Sequence, residues 1–302
     1  MKTLNPIFRL RMVAVGAACG VATLLSLSAC TAPGAVSVPA HSPINLSQER
    51  IAEIVASPDR SAADRINDQR RKPESMLAFI APRPGMTVLD LSAGGGYTTE
   101  LLARAVSPTG RAFGQSQPAR APDAPLRPAV APEGNASPHL APPSGSPASL
   151  KPPVRRTSAM ALAERAKNSN LPNLFAVVRP FEDPAPPELV GRLDLVTLMF
   201  NYHDLGHMGT DRARMNAAVF AALKPGGTYV IADHAGRTGT GISESGTLHR
   251  VEEEFVRKEV VTAGFKLLAH GDFLRNPADP RDKNTPDPAQ PKDEFVLKFV
   301  KP

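Results

Sequence analysis

The chain has 302 residues, with 35 Lys and Arg against 29 Asp and Glu, 42% hydrophobic residues, 32 Pro and no Trp. That length can bury one large core or two small ones, and a charged fraction of 21% beside ordinary apolar content excludes a fully disordered, collagenous or polytopic membrane chain. The formal net charge of +6 would point to nucleic acid or an acidic surface only if it were clustered. Arg70-Arg71-Lys72 and Arg155-Arg156 are small clusters without interleaved aromatics, so nucleic acid is not expected as a partner.

In chain order, Lys2, Arg9 and Arg11 precede an uncharged run from Met12 to Ala29 that ends in Leu27-Ser28-Ala29-Cys30. This is the layout of an export signal, and its last four residues resemble the lipobox of bacterial lipoprotein precursors. The resemblance implies a signal peptide over 1–29, a diacylglycerol on the Cys30 thiol and a bilayer held through that lipid. The run is also just long enough for an uncleaved membrane anchor, but the cysteine falls where a lipobox needs it. Cleavage takes three positive charges and no acid from the formal +6, leaving about +3. Cys19 goes with the leader, so the mature body has no free thiol and no disulfide, which suits an oxidising envelope compartment. Thr31 after the cysteine, where Asp would favour retention, points to a periplasm-facing lipoprotein of the outer membrane if the source has two membranes.

Residues 30–46, punctuated by Pro33, Pro39 and Pro43, read as a flexible tether to a domain over 47–302. A helical pattern runs from Ser47 to Phe79, interrupted at Pro73. Thr87–Leu91 reads as a buried strand, Ser92–Gly96 as a glycine turn and Tyr97–Val106 as a helix. Further strands are predicted at Arg111–Gln115, Leu174–Val178, Leu193–Phe200, Thr228–Asp233, Phe265–Ala269 and Glu294–Lys301. Helices are predicted at Asp211–Leu223, stopped by Lys224-Pro225-Gly226-Gly227, and at Thr247–Ala263, stopped by Gly264. Strands alternating with helices predict an α/β fold with a mostly parallel central sheet and helices on both faces.

One stretch breaks the alternation. Pro118–Pro153 holds eleven prolines, no aromatic residue and almost no Val, Ile or Leu. It cannot bury enough apolar surface to offset its ordering entropy, and a disordered insertion is expected at about 117–157.

Asp90 followed by Ser92-x-Gly94-x-Gly96 brings backbone close to a ligand at the carboxyl end of a strand. A nicotinamide loop would prefer Gly-x-Gly-x-x-Gly, and position 99 is Thr, which argues against a dinucleotide. Val88–Tyr97, Leu193–Leu198 and Leu223–Gly227 resemble, in order and separation, motifs of class I S-adenosylmethionine-dependent methyltransferases. Asn201-Tyr202-His203-Asp204, Asp211–Asn216, Asp233-His234, Leu248-His249-Arg250 and Leu274–Asp282 extend the resemblance to a group of bacterial exported methyltransferases.

The resemblance implies a Rossmann-like class I methyltransferase fold, S-adenosylmethionine as cofactor and a small-molecule methyl acceptor. Asp90, Ser92, Gly94, Gly96 and Tyr97 would face the cofactor. Ser92 stands where the family usually has Gly. Gln115 or Ser116 stands where an acidic residue usually takes the ribose hydroxyls, and a neutral group there forgoes charge assistance.

Methyl transfer needs an aligned nucleophile and, for some acceptors, a base. The candidates are Asn201, Tyr202, His203 and Asp204, then His234 beside Asp233. Because neighbours on a strand point apart, His203 and Asp204 are not expected to act as a dyad. No metal site is assigned, since Gly206 and Gly209 favour a loop over a helix that would bring His203 and His207 to one face. Two alternatives remain open, a non-catalytic binding protein on the same fold and a metal-dependent enzyme using His203, His207 and His234.

Overall fold

A computed structural model describes residues 45–119, 157–168, 170–284, 286 and 290–302. The lipobox, Cys30, the tether through residue 44 and the proline-rich stretch from residue 120 to 156 lie outside the described residues. No helix among the described residues is long and apolar enough to cross a membrane.

Three helices come first, α1 (Gln48–Ala56), α2 (Ala62–Arg71) and α3 (Pro73–Ile80). Ser47 and Ser61 cap the first two by accepting the Arg50 and Asp64 backbone N–H groups. Lys72 is left-handed and Pro73 sits at the first position of α3, so the sequence break at Pro73 is a helix-to-helix corner. The alternating part follows as β1 (Thr87–Leu91), α4 (Tyr97–Val106), β2 (Arg111–Ser116), α5 (Ser158–Arg165), β3 (Leu174–Val178), β4 (Leu193–Met199), α6 (Asp204–His207), α7 (Arg212–Ala222), β5 (Leu223–His234), α8 (Glu253–Thr262), β6 (Lys266–Gly271) and β7 (Glu294–Val300).

The strands form one seven-stranded sheet in the order β3-β2-β1-β4-β5-β7-β6. All neighbours from β3 to β5 pair in parallel, with Leu89 opposite Phe113 and Val196, while β7 runs antiparallel between β5 and β6. Side-chain alternation sends Val88, Leu195 and Val230 to one face, under α3, α4 and α5, and Leu89, Val196 and Ile231 to the other, under α7 and α8. This is the Rossmann-like α/β fold expected from the sequence, a mostly parallel central sheet with helices on both faces. Chain order reverses at β1, whose neighbours are β2 and β4, so a crevice opens at their carboxyl ends.

Four local features differ from the sequence reading. Lys224–Gly227 does not separate a helix from a strand. The segment lies within β5 as a register shift, with Leu193 opposite Leu223 but Leu195 opposite Thr228, because Gly226 N–H and Gly227 C=O bond to Lys301. The predicted helix from Thr247 begins only at Glu253, because Val251 instead bridges to Ala235 and Arg250 is buried. Helix α5 was not predicted, its sequence lying directly behind the proline-rich stretch.

The fourth concerns 203–207, which is helical. His203 has α-helical φ and ψ and precedes α6. Gly206 is there for close packing, since a Cβ would stand 2.7 Å from Ile242 Cγ1 and 2.8 Å from Ser245 Oγ.

Arg250 holds the segment that replaces the missing helical turns. Its fully buried guanidinium donates to Ala235 O at 3.0 Å and to Lys283 O, and pairs with Asp279 Oδ2 at 2.9 Å. Asp279 also accepts Asp293 N–H at 2.6 Å, so the Leu248-His249-Arg250 and Leu274–Asp282 motifs are two halves of one lock. Arg250→Ala strands the Asp279 charge in the core. The expected loss is about 3–5 kcal/mol of unfolding free energy in denaturant titration, and a loss under about 1 kcal/mol would contradict the lock.

Candidate functional site

The crevice outside β1, β2 and β4 contains a cavity of about 590 Å³. Its floor is the bend from Ser92 to Gly96, in which Ser92, Gly94 and Gly96 all have positive φ. A Cβ on Gly94 would meet nothing within 4 Å, whereas one on Gly96 would stand 2.8 Å from Leu162 Cδ1. The first glycine borders open space and the second lets α5 close on the bend. No side chain of the described residues fills the hollow.

Three groups brace the bend. Gln115, fully buried, accepts Ser92 N–H on Oε1 at 2.9 Å and donates from Nε2 to Arg179 O at 2.6 Å, while its carbonyl accepts Ala93 N–H at 2.9 Å. Arg165 of α5 donates to Gly95 O at 2.7 Å and pairs with Asp64 of α2 at 2.7 Å and with Glu100 of α4. Ser92 Oγ donates to Asn201 Oδ1 at 2.5 Å, which joins the exits of β1 and β4.

Asp90, at the end of β1, is almost fully buried and accepts the hydroxyls of Thr99 at 2.6 Å and Thr197 at 2.7 Å. Burial pushes its carboxyl from an ordinary 3.8 up to about 6, against the two threonine bonds that favour the charge.

Of the residues proposed to face a cofactor, Asp90, Ser92, Gly94, Tyr97 and Gln115 line the cavity, as does Asn201, whereas Gly96 packs against α5. Tyr97 also touches α2, its hydroxyl donating to Asp68 Oδ1 at 2.7 Å. Gln115 has at least one hydrogen bond on each end of its amide. Ser116, next in the strand, lines the same cavity with a buried Oγ that has no hydrogen-bond partner among the described residues.

The remaining candidates lie behind the cavity wall. Tyr202 is fully buried among residues packed on α7 and α8, its hydroxyl donating to Glu259 at 2.7 Å and accepting from Asn216 at 3.0 Å. It is not a cavity residue. His203, also fully buried, uses Nδ1 and its backbone N–H on the two oxygens of Asp233, at 2.6 and 2.7 Å. Its Nε2 lies 3.1 Å from Asp204 Oδ1 without hydrogen-bond alignment.

The expectation that His203 and Asp204 point apart is thus overturned. The strand ends at Met199, and Phe200 turns the chain out of the sheet with a φ of 58°. Burial disfavours charge on the His203 imidazole, but Asp233 and then Asp204 outweigh it and push its pKa up to about 10. Burial likewise opposes charge on Asp204, yet the imidazoles of His203 and His249 hold its carboxyl well below the usual range. His249 Nδ1 is 3.2 Å and His207 Nδ1 3.8 Å from the same Asp204 Oδ1. His234 is buried beside them, with Nδ1 2.9 Å from Glu294 Oε1 and its ring centroid 5.4 Å from that of His203.

Sequence reasoning missed several cavity residues. Phe200 carries the Arg71 guanidinium 3.8 Å from its ring centroid, and Phe181, Met208 and the Thr157–Ala159 start of α5 complete the wall. Thr157 followed by an alanine-rich run was the available signal, a helix cap whose side chain accepts Met160 N–H.

No protein-family model matches the chain, and no curated protein matches it. Among solved structures, a SAM-dependent methyltransferase from Aquifex aeolicus is 15% identical, over 80% of this chain and 100% of its own, with a TM-score of 0.49. An S-adenosylmethionine-dependent methyltransferase from Mesorhizobium loti is 13% identical over 78% of this chain and 99% of its own, with a TM-score of 0.46. Aeropyrum pernix fibrillarin, solved with natively bound S-adenosyl-L-methionine, is 16% identical over 72% of this chain and 67% of its own, with a TM-score of 0.39.

Asp90 generates a test of the electrostatics. An acid whose pKa is higher folded than unfolded binds its proton more tightly in the folded state, so it costs stability as pH rises from about 4 to 6. Asp90→Asn removes that dependence. The unfolding free energy of the variant, relative to wild type, should shift in its favour by about 2–3 kcal/mol between pH 4 and pH 7. A difference that stays flat with pH would place the Asp90 proton elsewhere.

Proposed function

We propose that the cavity above the glycine bend binds S-adenosylmethionine and that the protein transfers its methyl group to a small-molecule acceptor. One observation carries the reading. An open space beside Gly94, at the reversal point of a sheet with methyltransferase topology, is bordered by a buried serine hydroxyl that lacks a partner among the described residues. The volume lies within the roughly 300–1,000 Å³ of small-molecule sites. Bound there, S-adenosylmethionine supplies an already activated methyl on its sulfonium.

The chain's own residues do the rest. The bend from Ser92 to Gly96 holds backbone close to the nucleoside, and Ser116 offers its hydroxyl to the ribose. Asp90 sits beneath the bend as a buried acceptor of two threonine hydroxyls. Asn201, at the exit of β4, presents its amide to the acceptor side. His203 and Asp204 lie outside the cavity lining, and as an imidazolium beside a carboxylate they hold Asn201 in place, Asp204 Oδ2 accepting its Nδ2–H at 2.7 Å. The alternative of a binding protein without transfer uses the same cavity and differs only in product.

Calorimetry of the full-length chain with S-adenosylmethionine and S-adenosylhomocysteine tests the reading directly, and no heat at millimolar ligand would remove it. Ser116→Asp should tighten binding about tenfold, because a carboxylate strengthens a hydroxyl hydrogen bond by roughly 1–1.5 kcal/mol. Unchanged or weaker affinity would move the ribose away from Ser116.

The N-terminal motif supports a second part of the reading, that Cys30 is lipidated and the domain is held at the envelope, on the periplasmic side of the outer membrane where there is one. In a bacterial host Cys30→Ser should transfer the protein from the membrane to the soluble fraction. Retention in the membrane would favour the uncleaved anchor.

A further inference from the structure

We propose that His203, Asp204 and His249 form a binding site for a divalent first-row transition-metal ion, on the far side of Asn201 from the cavity. Their ligand atoms all lie within 4.8 Å of one another. Asp204 Oδ1 stands 3.1 Å from His203 Nε2 and 3.2 Å from His249 Nδ1. Two ligands each about 2.0–2.1 Å from a tetrahedral ion are about 3.3 Å apart, so both edges need only a small expansion to admit one.

The chemistry of each ligand favours the ion. Asp233 Oδ1 can only accept, so the 2.6 Å contact places the Nδ1 proton of His203 on that side and leaves Nε2 facing Asp204. That Nε2 is fully buried and, although 3.1 Å from Asp204 Oδ1, makes no aligned hydrogen bond among the described residues. An ion that binds there takes the place of the ring's second proton, which is released to solvent. A carboxylate behind the far nitrogen of a ligating imidazole is the arrangement that fixes its orientation in metal sites.

His249 is held in place from the other side. It has a φ of 52°, a conformation that a non-glycine residue keeps only when its surroundings impose it, and its neighbour is the locked Arg250. Asp204 is steadied by Asn201 Nδ2, which donates to Oδ2 at 2.7 Å and leaves Oδ1 to the imidazoles. Two imidazoles and one carboxylate suit zinc or ferrous iron and leave at least one position for water or a substrate oxygen. Asp204 is the most exposed of the three, so the remaining position lies on the solvent-accessible side of the cluster.

The test needs no nucleoside, so its failure and the failure of the methyl-transfer reading are separate events. The full-length chain is stripped with a chelator and titrated with Zn²⁺ by calorimetry and with Co²⁺ by visible absorption. One equivalent should bind saturably, and X-ray absorption of the zinc-loaded wild-type chain should show imidazole scattering from two ligands. His249→Gln should weaken binding at least 100-fold and Asp233→Asn about 10–100-fold, whereas His270→Gln, at an exposed histidine beside Glu253, should bind like wild type. Absence of saturable binding, a zinc shell without imidazole, or equal affinity in His249→Gln and His270→Gln would overturn the proposal. The absorption measurement uses the unaltered chain and decides the matter even if a variant fails to fold.

Discussion

One buried amide ties together the carboxyl ends of the sheet's central strands. Gln115 accepts a backbone N–H from the exit of β1 on its side-chain oxygen and donates a hydrogen bond to the backbone beyond β3, while its own carbonyl accepts a second N–H from the bend. The exits of three strands are therefore tied to one another around the hollow. A carboxylate at this position could accept but not donate, so it would leave the Arg179 carbonyl without its bond. Neutral chemistry at position 115 thus has a structural cause.

The second brace is ionic. Arg165, the last residue of α5, reaches across to Gly95 O, Asp64 and Glu100, and so gathers α2, α4 and α5 around the same bend. Its partners are mostly buried, so the energetic weight lies in leaving none of them unpaired more than in net attraction. The chain thereby returns, at Thr157, to the rim of the cavity that it left at Ala119, since both residues line the wall.

Much of this was legible in the sequence. The strand Thr87–Leu91, the helix Tyr97–Val106 and the strand Leu174–Val178 end where apolar runs and glycines said they would. The glycine bend was legible because only such residues tolerate three left-handed turns within five positions, although Ser92 adopts one of them. The histidine cluster was legible as a grouping of His203, His207 and His234, but its geometry was not. Its geometry depends on Phe200 leaving the sheet with an unfavourable φ and on Gly206 serving contact where a loop was expected, and neither leaves a periodic trace. The role of Arg250 was hidden likewise, because a charged residue beside apolar neighbours reads as the polar face of a helix until its partner Asp279, 29 positions away, is placed.

The run of bonds from Ser92 through Asn201 to Asp204 gives the two halves of the molecule a shared ledger. Thermodynamic linkage makes such a connection symmetric: whatever occupancy on the aspartate side does to grip on the bend, occupancy of the bend must return in equal measure. If a solute held at Asp204 alters the grip on the bend, this single carboxamide is the bonded route between them, since asparagine both donates and accepts without carrying charge.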